Sequence, residues 1–158
     1  DTPEKALEWF SHYADTVIAG QLGLLARHGV GLEAHQQNTM AILYRKTGFL
    51  NKTLNRDLAD SPYIYEPLLR LYGKDISNEI HPVRKYLTDS IDAPCKQVYH
   101  GMVASHLAPM ITILSKEFGV DAEAAWKNVG TSMQKCFADA RANFARMPNG
   151  IGQQQAQY

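Results

Sequence analysis

Glu33, Ala34, His35, Gln36, Gln37 and Asn38 place a carboxylate, an imidazole and three carboxamides in one short stretch. A long amphipathic pattern precedes them and an apolar run follows. In an extended chain alternate side chains share a face, so Glu33, His35 and Gln37 are expected to project together from one side of a strand. Such a row makes a poor core face and a good ligand face. It equally suits the solvated edge of a half-exposed strand. Spacing alone leaves both readings open.

A second stretch bears on the choice. Arg45-Lys46-Thr47-Gly48 separates two β-prone runs, which predicts a hairpin with arms over 32–44 and 49–57. A two-residue Thr47-Gly48 turn sets Asp57 opposite Asn38, and a three-residue loop sets it opposite Gln37. Either register folds a second carboxylate back onto the polar row, with Arg56 beside it. Glu33, Asp57 and the carboxamide oxygen of Asn38 are hard donors suited to Mg²⁺, which usually keeps water and phosphate among its ligands. His35 between them suits an anionic substrate when protonated, or a proton-carrying role. The cluster fits a nucleotide with Mg²⁺ and a polyanionic acid. It does not name a reaction.

These residues resemble a known family. Glu33-Ala34-His35-Gln36-Gln37-Asn38, a hairpin and then Arg56-Asp57 are similar to the C-terminal half of the NRPS-independent siderophore synthetases of the aerobactin-synthetase type. The entry Gly29 to Leu32 and the later Tyr63-Ile64-Tyr65-Glu66 match as well, and the resemblance covers residues 5–70 best. This region is commonly labelled ferric-iron-reductase-like, which is a label of similarity. The resemblance implies an ATP-dependent ligase that adenylates a polycarboxylate, citrate or a related acid, and joins it to an amine or hydroxyl. It implies ATP and Mg²⁺ as cofactors and His35 at the carboxylate or adenylate. By the same carry-over Glu33, Asn38 and Asp57 stand near the metal, and Gln37 and Asn38 near the nucleotide. Arg56 joins the binding set by position, with bracing of the hairpin its more natural part. The implied parent is a bacterial cytoplasmic enzyme, with homodimerisation left open. Residues 1–150 would be its C-terminal, thumb-like domain and 151–158 a polar tail. The ATP-binding N-terminal half would lie outside this chain, leaving the fragment inactive by itself. One departure stands out: Leu58-Ala59-Asp60-Ser61 follows Arg56-Asp57 without the glycine often found there.

Composition bounds the alternatives. The 158 residues carry 16 basic and 16 acidic side chains, so no electrostatic grip on nucleic acid or an anionic membrane is expected. No apolar run approaches a membrane span. Cys95 and Cys136 lie on apolar helical patterns and predict buried free thiols in a reducing compartment. From a different functional class, the chain could be a helical interaction domain whose polar hairpin is only solvated surface. A third reading is a reductase-like domain handling iron siderophores. That one lacks a close-set cysteine cluster for an iron–sulfur centre.

The elements that must position the cluster read as mainly α with one small antiparallel hairpin, an α+β class. Thr2-Pro3-Glu4 opens a helix that runs to His28, where Gly29 stops it. Gly20 and Gly23 inside it imply close packing. In the hairpin, Met40, Ile42 and Tyr44 alternate with Ala41 and Leu43, so both faces are expected to be covered. Asp60-Ser61-Pro62 reads as a turn, 63–72 as a short helix or irregular segment packed in the core, Gly73-Lys74-Asp75 as a break, and His81-Pro82 as a helix entry. Two long helices finish the chain. The first runs from Asp92-Ala93-Pro94 to Gly119, and Pro109 must kink or open it. His100 and His106 along it do not share a helix face, so no metal pair is expected. The second starts at Asp121, with Val120 stapled onto Ala125 and a core stripe of Trp126, Val129, Met133, Phe137, Ala140 and Phe144.

Overall fold

Helix α1 (Pro3–His28) spans the range its end signals predict. Thr2 accepts the Lys5 N–H on its hydroxyl, and Gly29 closes the helix at φ 71° with its N–H on Leu25 O. Glycine takes this left-handed conformation without a Cβ clash. The computed structural model describes residues 2–57, 63–71 and 86–146. The Asp60-Ser61-Pro62 turn, the Gly73–Asp75 break, His81-Pro82 and the 151–158 tail lie outside them.

The architecture is mainly helical with two small sheets. Strands β2 (Thr39–Leu43) and β3 (Leu50–Asn55) form the expected antiparallel hairpin, shorter than the arms predicted. Thr39 pairs with Asn55, which sets Asp57 level with Gln37, the register of the three-residue alternative. The loop is longer than that: Tyr44 N donates to Phe49 O, and an irregularity between Ile42 and Leu43 absorbs the difference.

Residues 32–38 are not a strand. Gln36–Asn38 form a single 3₁₀ turn, so the shared face expected of Glu33, His35 and Gln37 does not form. Local side-chain bonding outcompetes the extended ladder. Asn38 Nδ2 donates to Glu33 O at 3.3 Å, and Thr39 Oγ1 lies 3.3 Å from Ala34 O.

The second sheet was not expected. Strand β4 (Tyr63–Tyr65) sits between β1 (Val30–Gly31), antiparallel, and β5 (Leu87–Thr88), parallel. Helix α2 (Glu66–Leu71) follows β4, so the 63–72 segment begins as a strand and becomes helical only at Glu66.

Helices α3 (Asp92–Val98) and α4 (Ala108–Phe118) flank a π-helical segment, Tyr99–Leu107. This is how the chain accommodates Pro109, which lacks an N–H and would crowd the carbonyl one turn back in an α-helix. Ala108 N reaches back five residues to Val103 O instead of four. Buried positions therefore come in adjacent pairs, Gly101 with Met102 and His106 with Leu107.

Helix α5 (Ala122–Ala145) is capped by Asp121, which accepts the Glu123 N–H, and Val120 and Ala125 are both buried as the staple predicts. Its core line is Ala125, Val129, Ala140 and Phe144, with Met133 and Cys136 partly buried. Trp126 and Phe137 leave that line for solvent. The staple sets the helix phase, and Ala125 rather than its bulky neighbour takes the inward position. Asn128 donates to Ser11 Oγ at 2.6 Å and Ser132 to Asp15, so the contact with α1 is partly polar. Around α1 the main core gathers Phe10, Val17 and Ile18 with Leu50, Met102, Leu107 and Ile111.

Two expectations about burial fail. Cys95 and Cys136 are free, but Cys95 is exposed and Cys136 only half-buried. The hairpin is not covered on both faces: Met40 and Leu54, cross-strand partners, are 49% and 46% exposed. Only the face bearing Thr53 and Asn55 turns to α1, where Thr53 Oγ1 would lie 3.5 Å from a Cβ built on Gly20 and Asn55 meets Gln21. That is ordinary contact, so Gly20 is not required by a close approach. A Cβ on Gly23 would meet only the flexible Arg27 guanidinium.

Candidate functional site

The polar stretch is a loop held from three sides. Beneath it, glycines let backbone approach backbone. A Cβ on Gly31 would fall 2.5 Å from Pro94 O, and one on Gly101 would fall 2.7 Å from Ala34 N. Neither position admits a side chain without moving main chain. From the hairpin side, Arg56 grips the loop twice: its N–H donates to Asn38 O at 2.9 Å and its Nε to Gln37 O at 3.0 Å. From the helical side comes His106.

His106 is 1% exposed and bonded at both ring nitrogens. Nδ1 lies 3.1 Å from Ala34 O and Nε2 lies 2.7 Å from the Tyr13 hydroxyl. A carbonyl can only accept, so Nδ1 carries the proton and Nε2 accepts from Tyr13. Burial holds this imidazole below its ordinary protonation range and the charge of His35 pushes the same way, against the Ala34 carbonyl. Burial likewise pushes the Tyr13 hydroxyl up. The pair is neutral. Gln36 completes the attachment by donating from Nε2 to His106 O at 3.2 Å.

The residues singled out in the sequence sit on this loop and its neighbour. Glu33 and His35 are half-buried, Gln37 is exposed, and Asn38 is 8% exposed. Asn38 commits its nitrogen to Glu33 O, which leaves its carboxamide oxygen as the donor for a ligand. Arg56 and Asp57 are exposed and paired at 3.6 Å. Asp57 takes φ 59°, the left-handed region that short polar residues enter more readily than most. The structure thus brings the 33–38 loop and Arg56-Asp57 together through main-chain contacts. Among the described residues no group of three His, Cys, Asp or Glu side chains is placed to hold a metal. The two carboxylates and one carboxamide oxygen expected at the metal are of the type Mg²⁺ takes, and would fit it only with water or phosphate supplying its other ligands.

Tyr13 and His106 were not picked out from sequence. His106 read as one of two unrelated histidines on a helix that Pro109 must kink or open. The signal that could have found it is Pro109, which forces a widened turn just where His106 points inward.

Comparison with known proteins places this architecture. A family model described as ferric iron reductase FhuF-like transporter matches residues 7–153. The chain belongs to the FhuF-like family. This FhuF-like domain is 30% identical over 118 residues to the NRPS-independent siderophore synthetase rfs of Rhizopus delemar, covering 75% of this chain and 18% of that one. It is 27% identical over 116 residues to the D-ornithine–citrate ligase of Staphylococcus aureus, covering 73% and 17%. The petrobactin biosynthesis protein AsbB of Bacillus anthracis shares its fold with a TM-score of 0.71 at 18% identity, over 84% of this chain and 23% of that one. The domain therefore spans less than a quarter of each of these three relatives, and is of the kind carried by siderophore synthetases. No described helix is long and apolar enough to cross a membrane.

Proposed function

We propose that this FhuF-like domain works as the C-terminal part of an ATP-dependent siderophore synthetase, and that Glu33–Asn38 with Arg56-Asp57 is its contribution to the active site. The observation that carries the reading is the loop itself. Gln37 is exposed and Glu33 and His35 are partly exposed, while glycine contacts and buried hydrogen bonds fix the main chain around them. A loop so heavily tethered is preorganised for a ligand and not merely solvated.

In the proposed reaction a carboxylate oxygen of citrate or a related acid attacks the α-phosphorus of ATP and pyrophosphate leaves. The amine or hydroxyl of the second substrate then attacks the acyl carbon, losing a proton as AMP departs. Activation is needed because a carboxylate is a poor electrophile. His35 would hydrogen-bond the acid and its adenylate. Glu33, Asp57 and the Asn38 oxygen would hold Mg²⁺, whose chemistry when bound is to neutralise phosphate charge. Gln37 and Asn38 would face the nucleotide. Arg56 spends its N–H and Nε on loop carbonyls, which favours bracing over substrate contact.

Pyrophosphate release by the complete synthetase with ATP-Mg²⁺, an amine and a panel of polycarboxylates tests this. Release is expected with one acid and is expected to fall at least about a hundredfold in His35→Ala without a matching loss of stability. Normal turnover in that variant would overturn the assignment. The interaction-domain reading is favoured by one observation, the exposed apolar Met40–Leu54 pair, and takes the lead if no acid supports release.

A further inference from the structure

We infer that Tyr13 and His106 are positioning residues for His35: the buried imidazole holds the main chain just before it, and the His106 carbonyl holds the side chain of the residue just after it. The inference rests on the proposed role of His35 at the substrate carboxylate. Ala34 and Gln36 bracket His35, and both are tied to the same residue. Ala34 O accepts from His106 Nδ1 at 3.1 Å, and Gln36 Nε2 donates to His106 O at 3.2 Å. With the Ala34 carbonyl tied to the imidazole and the Gln36 side chain to the His106 carbonyl, the His35 backbone is held against the π segment.

Tyr13 sets the direction of that clamp. Its hydroxyl donates to His106 Nε2 at 2.7 Å, which leaves the proton on Nδ1, where the Ala34 carbonyl needs it. The ring meets His106 edge-on, with centroids 5.7 Å apart, and stacks on Trp9 at 5.2 Å. A chain of contacts thus runs from the α1 core to the loop. The π segment supplies the geometry, since widened turns of this kind often serve functional sites. A buried histidine whose two nitrogens merely fill a core would need no such alignment with the residues flanking the polar motif.

Two near-isosteres separate positioning from packing. Asn can replace the Nδ1 donor toward Ala34 and loses the Tyr13 contact; Gln reaches toward Tyr13 and loses the Ala34 bond. In the complete synthetase, His106→Asn is expected to keep kcat/KM for the acid within about threefold of wild type, and His106→Gln to lose about tenfold or more. KM for ATP should stay within about twofold in both, and their melting temperatures should be similar. Losses that are equal in the two variants and follow melting temperature would reduce His106 to a core residue and overturn the inference. If neither variant folds, Tyr13→Phe carries the test: a loss in kcat/KM for the acid at unchanged KM for ATP supports the clamp, and no loss removes it. A wild type that releases no pyrophosphate with any acid defeats the proposed function instead. The clamp is then read from hydrogen exchange of the Asn38 amide, which donates to His35 O at 3.0 Å. Faster exchange in His106→Gln than in His106→Asn upholds it, and equal exchange sinks it.

Discussion

The His106 neighbourhood and the outer face of the hairpin invert the usual distribution of side chains. His106 is buried against the Tyr13 hydroxyl, Gln21 and Asn38 are buried elsewhere in the interior, and among the described residues Gln21 Oε1 is the one buried side-chain polar atom without a partner. On the hairpin, Met40, Leu43, Tyr44 and Leu54 stand in solvent. The contrast teaches where precision lies in this domain. Buried hydrogen bonds have narrow geometry and fix a loop to a few tenths of an ångström, which non-directional apolar contact does not do. The hairpin face carries exposed apolar area, while the polar interior underlies the proposed site.

Breaking the ordered side should therefore be expensive and breaking the apolar side cheap. Gly101→Ala puts a Cβ against the Ala34 and Glu33 main chain, and we expect a loss of about 1–3 kcal/mol in urea unfolding despite alanine's better helix propensity. No loss would mean that the loop is free to shift. Tyr13→Phe leaves the buried His106 Nε2 without its donor and should cost about 1–2 kcal/mol by the same assay.

A smaller effect separates the two regions by pH. The folded chain holds His106 neutral below the ordinary value of 6.5, whereas the unfolded chain takes up a proton there. Stability from this group is complete above 6.5 and falls as the pH drops through 6.5 toward the lower folded value. Chemical denaturation in that acid window should show a shallower pH slope in His106→Gln than in wild type. Equal slopes would assign the acid sensitivity to other groups. Smallest of all, Leu54→Lys on the exposed face should change the stability of this chain by no more than about 0.5 kcal/mol, read as a thermal shift. A larger loss would show that the face is packed after all.

Strong local chemistry was readable from sequence. Thr2-Pro3 and Gly29 delimit α1 because capping is decided by a few adjacent residues, and Pro109 announces an opened helix because proline lacks a donor. The hairpin itself was readable and its strand register matches one of the two expected, but only because an irregularity between Ile42 and Leu43 offsets a longer loop. What escaped depends on distant partners. Strands of two or three residues, such as β1, β4 and β5, are too short to show a period, and they exist only because they pair with one another. The alternation assumed for residues 32–38 gave way to bonds from Asn38 and Thr39, and to a histidine some seventy positions away. The residues of the proposed site were visible by type. The groups that hold them were not.

The widened helix between α3 and α4 has one more consequence. A π turn advances through less rotation per residue than an α turn, so it shifts the angular phase between the two ends of what would otherwise be one rod. Here that phase lets Pro94 and Val98 at one end, and Ile111 and Leu114 at the other, all point inward at once. Winding Tyr99–Leu107 regularly at its present length would set the ends out of step. Either Pro94 would leave Gly31 or Ile111 would leave the core. The segment works as a vernier: it lets one helix satisfy two surfaces that a regular helix of the same sequence length would face at the wrong angle.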